Sequence, residues 1–496
     1  VPLLFSFCIT WWLDGFNTAA VAFAIPTILS GVIGVSLLSF GVRSDTTERL
    51  RDREAFAAVA LAYPVAVLIG ALPFWLGGVF HGPFTDGSTM ADIGRGFVNS
   101  WFEAMSGFTT TGATVIQHSM SPNCIPGTTP DCINAQPKGI LLWRSLTQWL
   151  GGMGIIVLSL AILPLLGIGG MQLFQAESPG PTADKLTPRV QETAKLLWVV
   201  YLALTALEFI LLWLHPSMNW FDALNHAFTS LASGGFSTKD ESIAAFNSIY
   251  IDIIVTLFMF LSGVNFAMHF RLFKGDMGAF FNNRETQFYT LVTVIGIFII
   301  TFSLWYFDGR TLLEALRYGS FQVIAIITTT GYVTDDYELW YTFGASILLL
   351  FFFTGASAGS TSGGLKMVRW MILIRNLGRE IKQIIHPRAI IPIRIGDQAI
   401  EPSIQRTVLS FFILYILIFG FGVMIISLFG YDLISSIGAS ISALGNVGPA
   451  WGEFGPTDNF APLPYAAKWI LIILMMVGRL ELFTIIILFS PSFWKQ

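Results

Sequence analysis

The feature that most constrains this chain is a recurrence of apolar runs, each about the 20 residues that a helix needs to cross a bilayer's hydrocarbon core. Ten such runs stand between charges, Pro or Gly, over 1–13, 17–41, 55–80, 140–168, 192–214, 248–272, 287–307, 343–373, 406–429 and 465–489. Hydrophobic residues make up 54% of the 496 and charged residues 12%, which sets lipid rather than water as the solvent. Backbone polar groups in lipid must be satisfied within the segment, so the expected fold class is an all-α polytopic membrane protein. The net charge of −4 carries no basic stripe, so nucleic acid is excluded as a partner and membrane lipid is expected instead. Because Val1 already lies inside an apolar run, the natural N-terminus is expected to lie upstream.

Between the members of four successive pairs of runs sits a shorter, half-polar helix that runs into small and hydroxyl residues around a glycine. The four stretches read SWFEAMSGFTTTGATV, ALNHAFTSLASGGFST, GSFQVIAIITTTGYVT and GASISALGNVGPAWG. Aligned on Gly112, Gly235, Gly331 and Gly445, they recur about once per hundred residues, which suggests an internal fourfold repeat. The expected organisation is an N-terminal helix pair over 1–50 and four helix, pore-loop, helix units over 51–175, 185–280, 285–395 and 400–496. Basic residues cluster on one side of the proposed topology, with Arg43, Arg49, Arg51 and Arg53 in one loop and Lys366, Arg369, Arg375, Arg379, Lys382, Arg388 and Arg394 in another. That asymmetry marks the cytoplasmic side, and all four glycine loops then face outward.

A cation leaves its hydration shell only where oxygens replace the lost water, and inward-pointing backbone carbonyls do so without a trapping net charge. Such carbonyls require backbone angles that favour glycine, and Thr or Ser hydroxyls add oxygens. Thr110, Thr111, Gly112 and Ala113 fit this demand, as do Ser233, Gly234, Gly235 and Phe236, and Thr329, Thr330, Gly331 and Tyr332. The fourth set, Ala443, Leu444, Gly445 and Asn446, has no hydroxyl and is least like the others.

These loops, GFTTTGATV and ITTTGYVTDD above all, resemble the Trk/Ktr/HKT superfamily of K⁺ transporters over nearly the whole chain. The additional pair of helices before residue 50 looks like its bacterial TrkH branch. The resemblance implies K⁺ as the transported ion, a pseudo-fourfold pore within one subunit of a homodimer, a bacterial inner-membrane location, and a cytosolic nucleotide-binding ring partner, TrkA. It implies no organic cofactor on this chain. Members with Ser at the first filter glycine favour Na⁺, so Gly112 implies K⁺.

The stretch GASAGSTSGGLK, from Gly355 to Lys366, interrupts an apolar run with too many small residues for a regular helix. Gly359 and Gly364 have the spacing of a phosphate-binding loop, but the lysine arrives one residue late, no Ser or Thr follows it and no strand precedes it. An intramembrane loop beneath the filter is the better reading. The family resemblance gives that loop, with Gly355, Gly359, Gly363, Gly364 and Lys366, a gating role, and gives Arg479 in the last span an electrostatic barrier role. From the residues alone, an ionised Arg479 must face the protein interior or a water-filled cavity. Glu481, two residues on, lies on a different helix face and is a doubtful partner. Glu208 and Asp252 raise the same question within other spans.

Asp335 and Asp336 follow the third loop and either concentrate cations or are simply solvated. His226, His269 and Glu103 have no metal-ligand spacing and are expected to bond between helices. Trp11, Trp12, Trp143 and Trp149 read as interfacial belts and Cys8 as packing. Cys124 and Cys132 share a polar loop in which they either form one extracytoplasmic disulfide or remain free. A gated passive pore is favoured over a cation-coupled symporter with alternating access, because four outward loops in one register suit a fixed filter. No HExxH, GxSxG or HxC-type constellation supports an enzyme.

Overall fold

The computed structural model describes residues 2–43, 52–162, 186–396 and 398–494. Arg49, Arg51 and the last residues of the 140–168 run lie outside them. Within the described residues the chain is mostly helical, with one hairpin of two-residue strands, Arg394–Ile395 against Gln398–Ala399.

Four units follow the N-terminal helices Pro2–Asp14 and Ile25–Arg43. Each has an outer helix, a short pore helix, an irregular loop and an inner helix. The outer helices are Asp52–Leu76, Leu186–Trp213, Arg284–Tyr306 and Pro402–Ser427, and the pore helices are Met90–Phe108, Trp220–Leu231, Leu312–Ile327 and Leu433–Gly445. Each pore helix opens on a residue that can accept the first free N–H groups: Thr89, Asn219, Thr311 and Asp432. Thr89 with Asp92 and Thr311 with Glu314 form reciprocal capping boxes, worth about 1 kcal/mol each. The capped ends fix where each helix starts, so its negative C-terminal end falls at the loop, where a cation gains from it.

The inner helices begin at Lys138, Ile249, Thr342 and Tyr465. The first packs on the second pore helix, the second on the third and the fourth on the first, and Tyr337 of the third unit donates to Ala450 O of the fourth (2.8 Å), which closes the four units into a ring. Asp14 at the end of the N-terminal helix accepts from Lys138 N (3.0 Å) and Gly139 N (2.7 Å), so the N-terminal pair is pinned to the start of the first inner helix.

Three of the ten runs are not single straight spans. Residues 248–272 form Ile249–Ser262 and Phe266–Phe273, bent by 102°, and the final run bends by 114° after Arg479. The 343–373 run breaks into Thr342–Phe351, an irregular segment and Met367–Ile385. Continuous apolar helices cover Phe16–Leu37, Ala194–Trp213, Arg284–Tyr306 and Pro402–Ser427. A sliding apolar count cannot see these bends, because the residues at the break, such as Gly263 and Asn265, carry little weight in it. Two smaller expectations also change. Cys8 is exposed, so it does not pack inward. Trp143 is buried and donates to Gly70 O, and Trp149 donates to Thr205 Oγ1, so neither belongs to an interfacial belt.

Candidate functional site

Every pore helix ends in the same turn. The N–H of Thr111, Gly234, Thr330 and Val447 reaches five residues back, to Ser106, Thr229, Ala325 and Ser442, at 2.8, 2.8, 2.8 and 3.0 Å. This closure needs a left-handed residue, supplied by Thr110 (φ +52°), Ser233 (+55°), Thr329 (+56°) and Asn446 (+56°). A second left-handed residue follows two positions on: Gly112 (φ +85°), Gly235 (+74°), Gly331 (+71°) and Gly448 (+105°). The four loops are therefore one backbone design repeated.

That design corrects the fourth set. Ala443, Leu444 and Gly445 are the last residues of the pore helix, and the positions matching Thr110 to Ala113 are Asn446, Val447, Gly448 and Pro449. Gly445 is a decoy: it sits in helical geometry, while Asn, the non-glycine residue that best tolerates left-handed backbone, starts the loop.

The glycines also interlock. A methyl group at Gly112 would overlap the carbonyl oxygen of Gly234, one at Gly235 that of Thr330, one at Gly331 that of Val447, and one at Gly448 that of Thr111. Each unit's glycine therefore faces a carbonyl of the next, in the cyclic order 1, 2, 3, 4. The same four glycines line the floor of an outer vestibule with Arg144, Lys239, Asp240 and Asp458. Side chains brace the ring from behind. Gln148 donates to Gly234 O (2.6 Å) and accepts from Phe236 N (3.0 Å), and Asn446 Nδ2 donates to Thr111 Oγ1 (3.0 Å) and Met475 O (2.9 Å). Tyr332 and Thr229 share a 2.5 Å hydroxyl contact between the third loop and the second pore helix.

A buried ion pair ties the first two loops. Glu103 accepts from Arg144 Nε (2.7 Å), Thr114 Oγ1 (2.9 Å) and Val115 N (3.1 Å), while Arg144 donates to Ser237 O and lies 3.5 Å over the Phe236 ring. Each charge has hydrogen-bond partners beyond the pair itself, which is the condition for a buried pair to hold geometry. Glu103 and His269 bond between helices as expected, His269 to Leu261 O, whereas His226 bonds to Asp222 O of its own pore helix and to Ser237 Oγ of the loop that follows it.

Below the ring, residues 352–366 fold into a closed loop whose neck is a parallel bridge of Thr354 with Leu365. Gly363 N donates to Thr329 Oγ1 (2.6 Å) and Thr361 Oγ1 to Leu231 O (3.0 Å), which puts the loop directly beneath the second and third pore-helix ends. Gly355 fits against Gly363 O, and Gly359 and Gly364 have φ of +73° and +62°. Lys366 Nζ donates to Ser362 O within the same loop. Arg479, buried, donates from Nη1 to Thr361 O (2.8 Å) and from Nη2 to Gly151 O (3.0 Å), clamping the loop against the first inner helix. Ser362, Gly363, Gly364, Lys366, Arg369 and Arg479 border a small cavity there. Among the described residues Arg479 has no carboxylate partner, whereas Glu481 pairs with Arg369 across helices. Asp252 pairs with Arg317 at 2.6 Å, and Glu208 is fully buried.

On the outer side, Asp335 is held by Arg310 (2.7 Å) and Trp340 Nε1 (2.6 Å), and Asp336 caps the short helix Tyr337–Leu339, so neither is a free solvated carboxylate. Asp458 lines the vestibule instead; burial, then the charge of Asp336, pushes its pKa up. Asp240 accepts from Cys132 N (2.7 Å) and Ile133 N (2.9 Å). Cys124 and Cys132 form a disulfide, which settles the alternative left open by the sequence. Sequence reasoning missed Glu103–Arg144 as a pair, Gln148, Gly448 and Asp458. Only Gly448 had a usable signal, the GNVGP string with its second glycine.

The family model "TrkH: Cation transport protein" matches residues 85–496. The chain is 38% identical over 477 residues to the Trk system potassium uptake protein TrkH of Halomonas elongata, covering 95% of this chain and 92% of that one. It is 38% identical over 481 residues to the protein of the same name from Escherichia coli K12, covering 96% and 93%. The crystal structure of the potassium transporter TrkH from Vibrio parahaemolyticus superposes with a TM-score of 0.84 at 32% identity, covering 100% of this chain and 97% of that one.

Proposed function

This chain belongs to the TrkH family of cation transport proteins, and on that premise we propose that it takes up K⁺ across the bacterial cytoplasmic membrane through a gated, channel-like pore. The observation that carries the reading is the interlocked ring of four left-handed glycines, each against a carbonyl of the next unit. A fixed ring of backbone oxygens can replace an ion's water without moving, which supports a pore over alternating access.

The filter is Thr110 to Ala113, Ser233 to Phe236, Thr329 to Tyr332 and, in the corrected register, Asn446 to Pro449. Ions enter the vestibule past Asp240 and Asp458, shed water at the ring and meet the 355–366 loop and the Arg479 guanidinium. A positive charge clamping the loop under a cation filter is a barrier that must be displaced for flow. K⁺ is the transported ion, and flux proceeds without chemical turnover or an organic cofactor. The chain works as a homodimer under a cytosolic TrkA-like ring. Ile374, Leu377, Ile381 and Ile384, exposed on Met367–Ile385 at the 3-4-3 spacing of a two-helix seam, support a second copy there.

The test is tracer Rb⁺ uptake into proteoliposomes with competing K⁺, Na⁺ and Li⁺, for the native chain and Gly112→Ser. Uptake blocked by K⁺ but not by Na⁺, with that preference lost in the variant, is expected. Flux indifferent to both competitors and to Gly112 would remove the filter reading.

A further inference from the structure

Among the described residues, Glu285, the second residue of the helix Arg284–Tyr306, is the carboxyl side chain that anchors the 355–366 loop. Glu285 is buried, and its Oε1 accepts from Ala358 N (2.7 Å) and Val368 N (3.2 Å). Ala358 belongs to the limb that descends into the loop and Val368 to the helix that leaves it, so a single oxygen fixes both limbs relative to each other and to a third element. The other tethers are neutral groups or Arg479: Ser357 N to Gly263 O, Phe266 N to Gly359 O, Thr361 Oγ1 to Leu231 O and Gly363 N to Thr329 Oγ1. Because Ala358 and Val368 share this one acceptor oxygen, both bonds are lost together when it goes.

We infer that Glu285 is the positioning residue that sets the resting place of the loop, and that losing its acceptor oxygen releases the loop from beneath the filter. This rests on the reading of the loop as the gate. Glu285 touches no ring residue, so its removal acts on how often the path is clear and not on which ion is chosen. It lies two residues after the 274–283 segment joining the second and third units. A displacement of that segment would move both limbs together.

The experiment compares Rb⁺ flux through the full chain with Glu285→Ala, Glu285→Gln and a deletion of residues 359–363, each with K⁺ and Na⁺ competition. Glu285→Ala is expected to raise resting flux about tenfold, the equivalent of the two bonds lost. Glu285→Gln, which keeps a carbonyl acceptor in place, should stay within about threefold of the native chain. K⁺ preference should be unchanged in both. If Glu285→Ala does not yield a monodisperse protein, Glu285→Asp, which draws the acceptor back by one carbon, is expected to raise flux in the same direction. Deletion raising flux while Glu285→Ala and Glu285→Asp leave it native would overturn the role of Glu285 and leave the gate standing. Deletion without effect would overturn both. Equal loss of flux and selectivity in Ala and Gln variants would mark Glu285 as merely structural and also overturn the proposal.

Discussion

The filter ring and the loop beneath it are built on opposite plans. The ring repeats one backbone turn four times, and each copy is locked by helix-end hydrogen bonds and by a glycine pressed against its neighbour's carbonyl. Among the described residues the loop occurs in one unit, the third, and it is held by separable bonds to Glu285, Thr329, Leu231 and Arg479. Geometry shared by four copies resists local change, because any one turn can move only if its neighbours do. Geometry resting on separate side chains can be released one contact at a time. A selective pore needs both: fixed oxygens where ions are chosen and a movable obstruction where flow is controlled.

The contrast is most easily broken at the ring. Gly331→Ala places a methyl onto Val447 O in a left-handed position that costs L-residues about 1–2 kcal/mol even without the overlap. Loss of all K⁺-blockable Rb⁺ flux is expected, and Gly448→Ala should match it. Gly445→Ala, inside helical geometry, should keep most of the flux; the reverse order would restore the register read from sequence. Next in size is Glu103→Ala, which strands Arg144 as an unpaired buried charge at a cost of about 3–5 kcal/mol. Thermal unfolding in detergent should shift sharply downward with the native competition pattern lost. An unshifted midpoint would show that the first two loops do not depend on the pair.

The loop should respond in the other direction. Arg479→Gln removes the charge beneath the filter, and resting Rb⁺ flux should rise about tenfold with ion preference kept. A fall in flux would instead make Arg479 a brace of the open path. The smallest effect belongs to the vestibule. Asp458 has its pKa raised, so as external pH falls it protonates before ordinary carboxylates and its attraction for cations is lost from the mouth. Uptake at low K⁺ should decline, by less than about twofold, from above the usual carboxylate range downward. Asp458→Asn should have the reduced uptake at all pH values and lack that portion of the decline.

Much of this could be read before any coordinates. The pore helices were marked by their half-polar texture running into small and hydroxyl residues, while the residues that cap them, Thr89, Asn219, Thr311 and Asp432, emerged with the structure. Gly112, Gly235 and Gly331 were legible because TTTG and SGGF place hydroxyls beside the one residue type free to turn left-handed. The fourth loop was not, since Asn446 takes the left-handed position without a glycine and Gly445 offers a false one. The Arg369–Glu481 pair could not be found either: its members lie 112 positions apart and meet only where the first turn of Met367–Ile385 comes against the break after Arg479.

What the sequence determined by itself is the solvent, the helical class, the fourfold recurrence and the chemistry of three loops. These depend on local composition and on spacing along the chain, which hydrophobicity, capping and glycine's freedom translate directly into structure. Tertiary structure decided the register of the fourth loop, the closure of the ring and the tethers of the loop below it. Those depend on which backbone atom of one unit faces which atom of another, a distance between strangers in sequence that only packing of all four units sets.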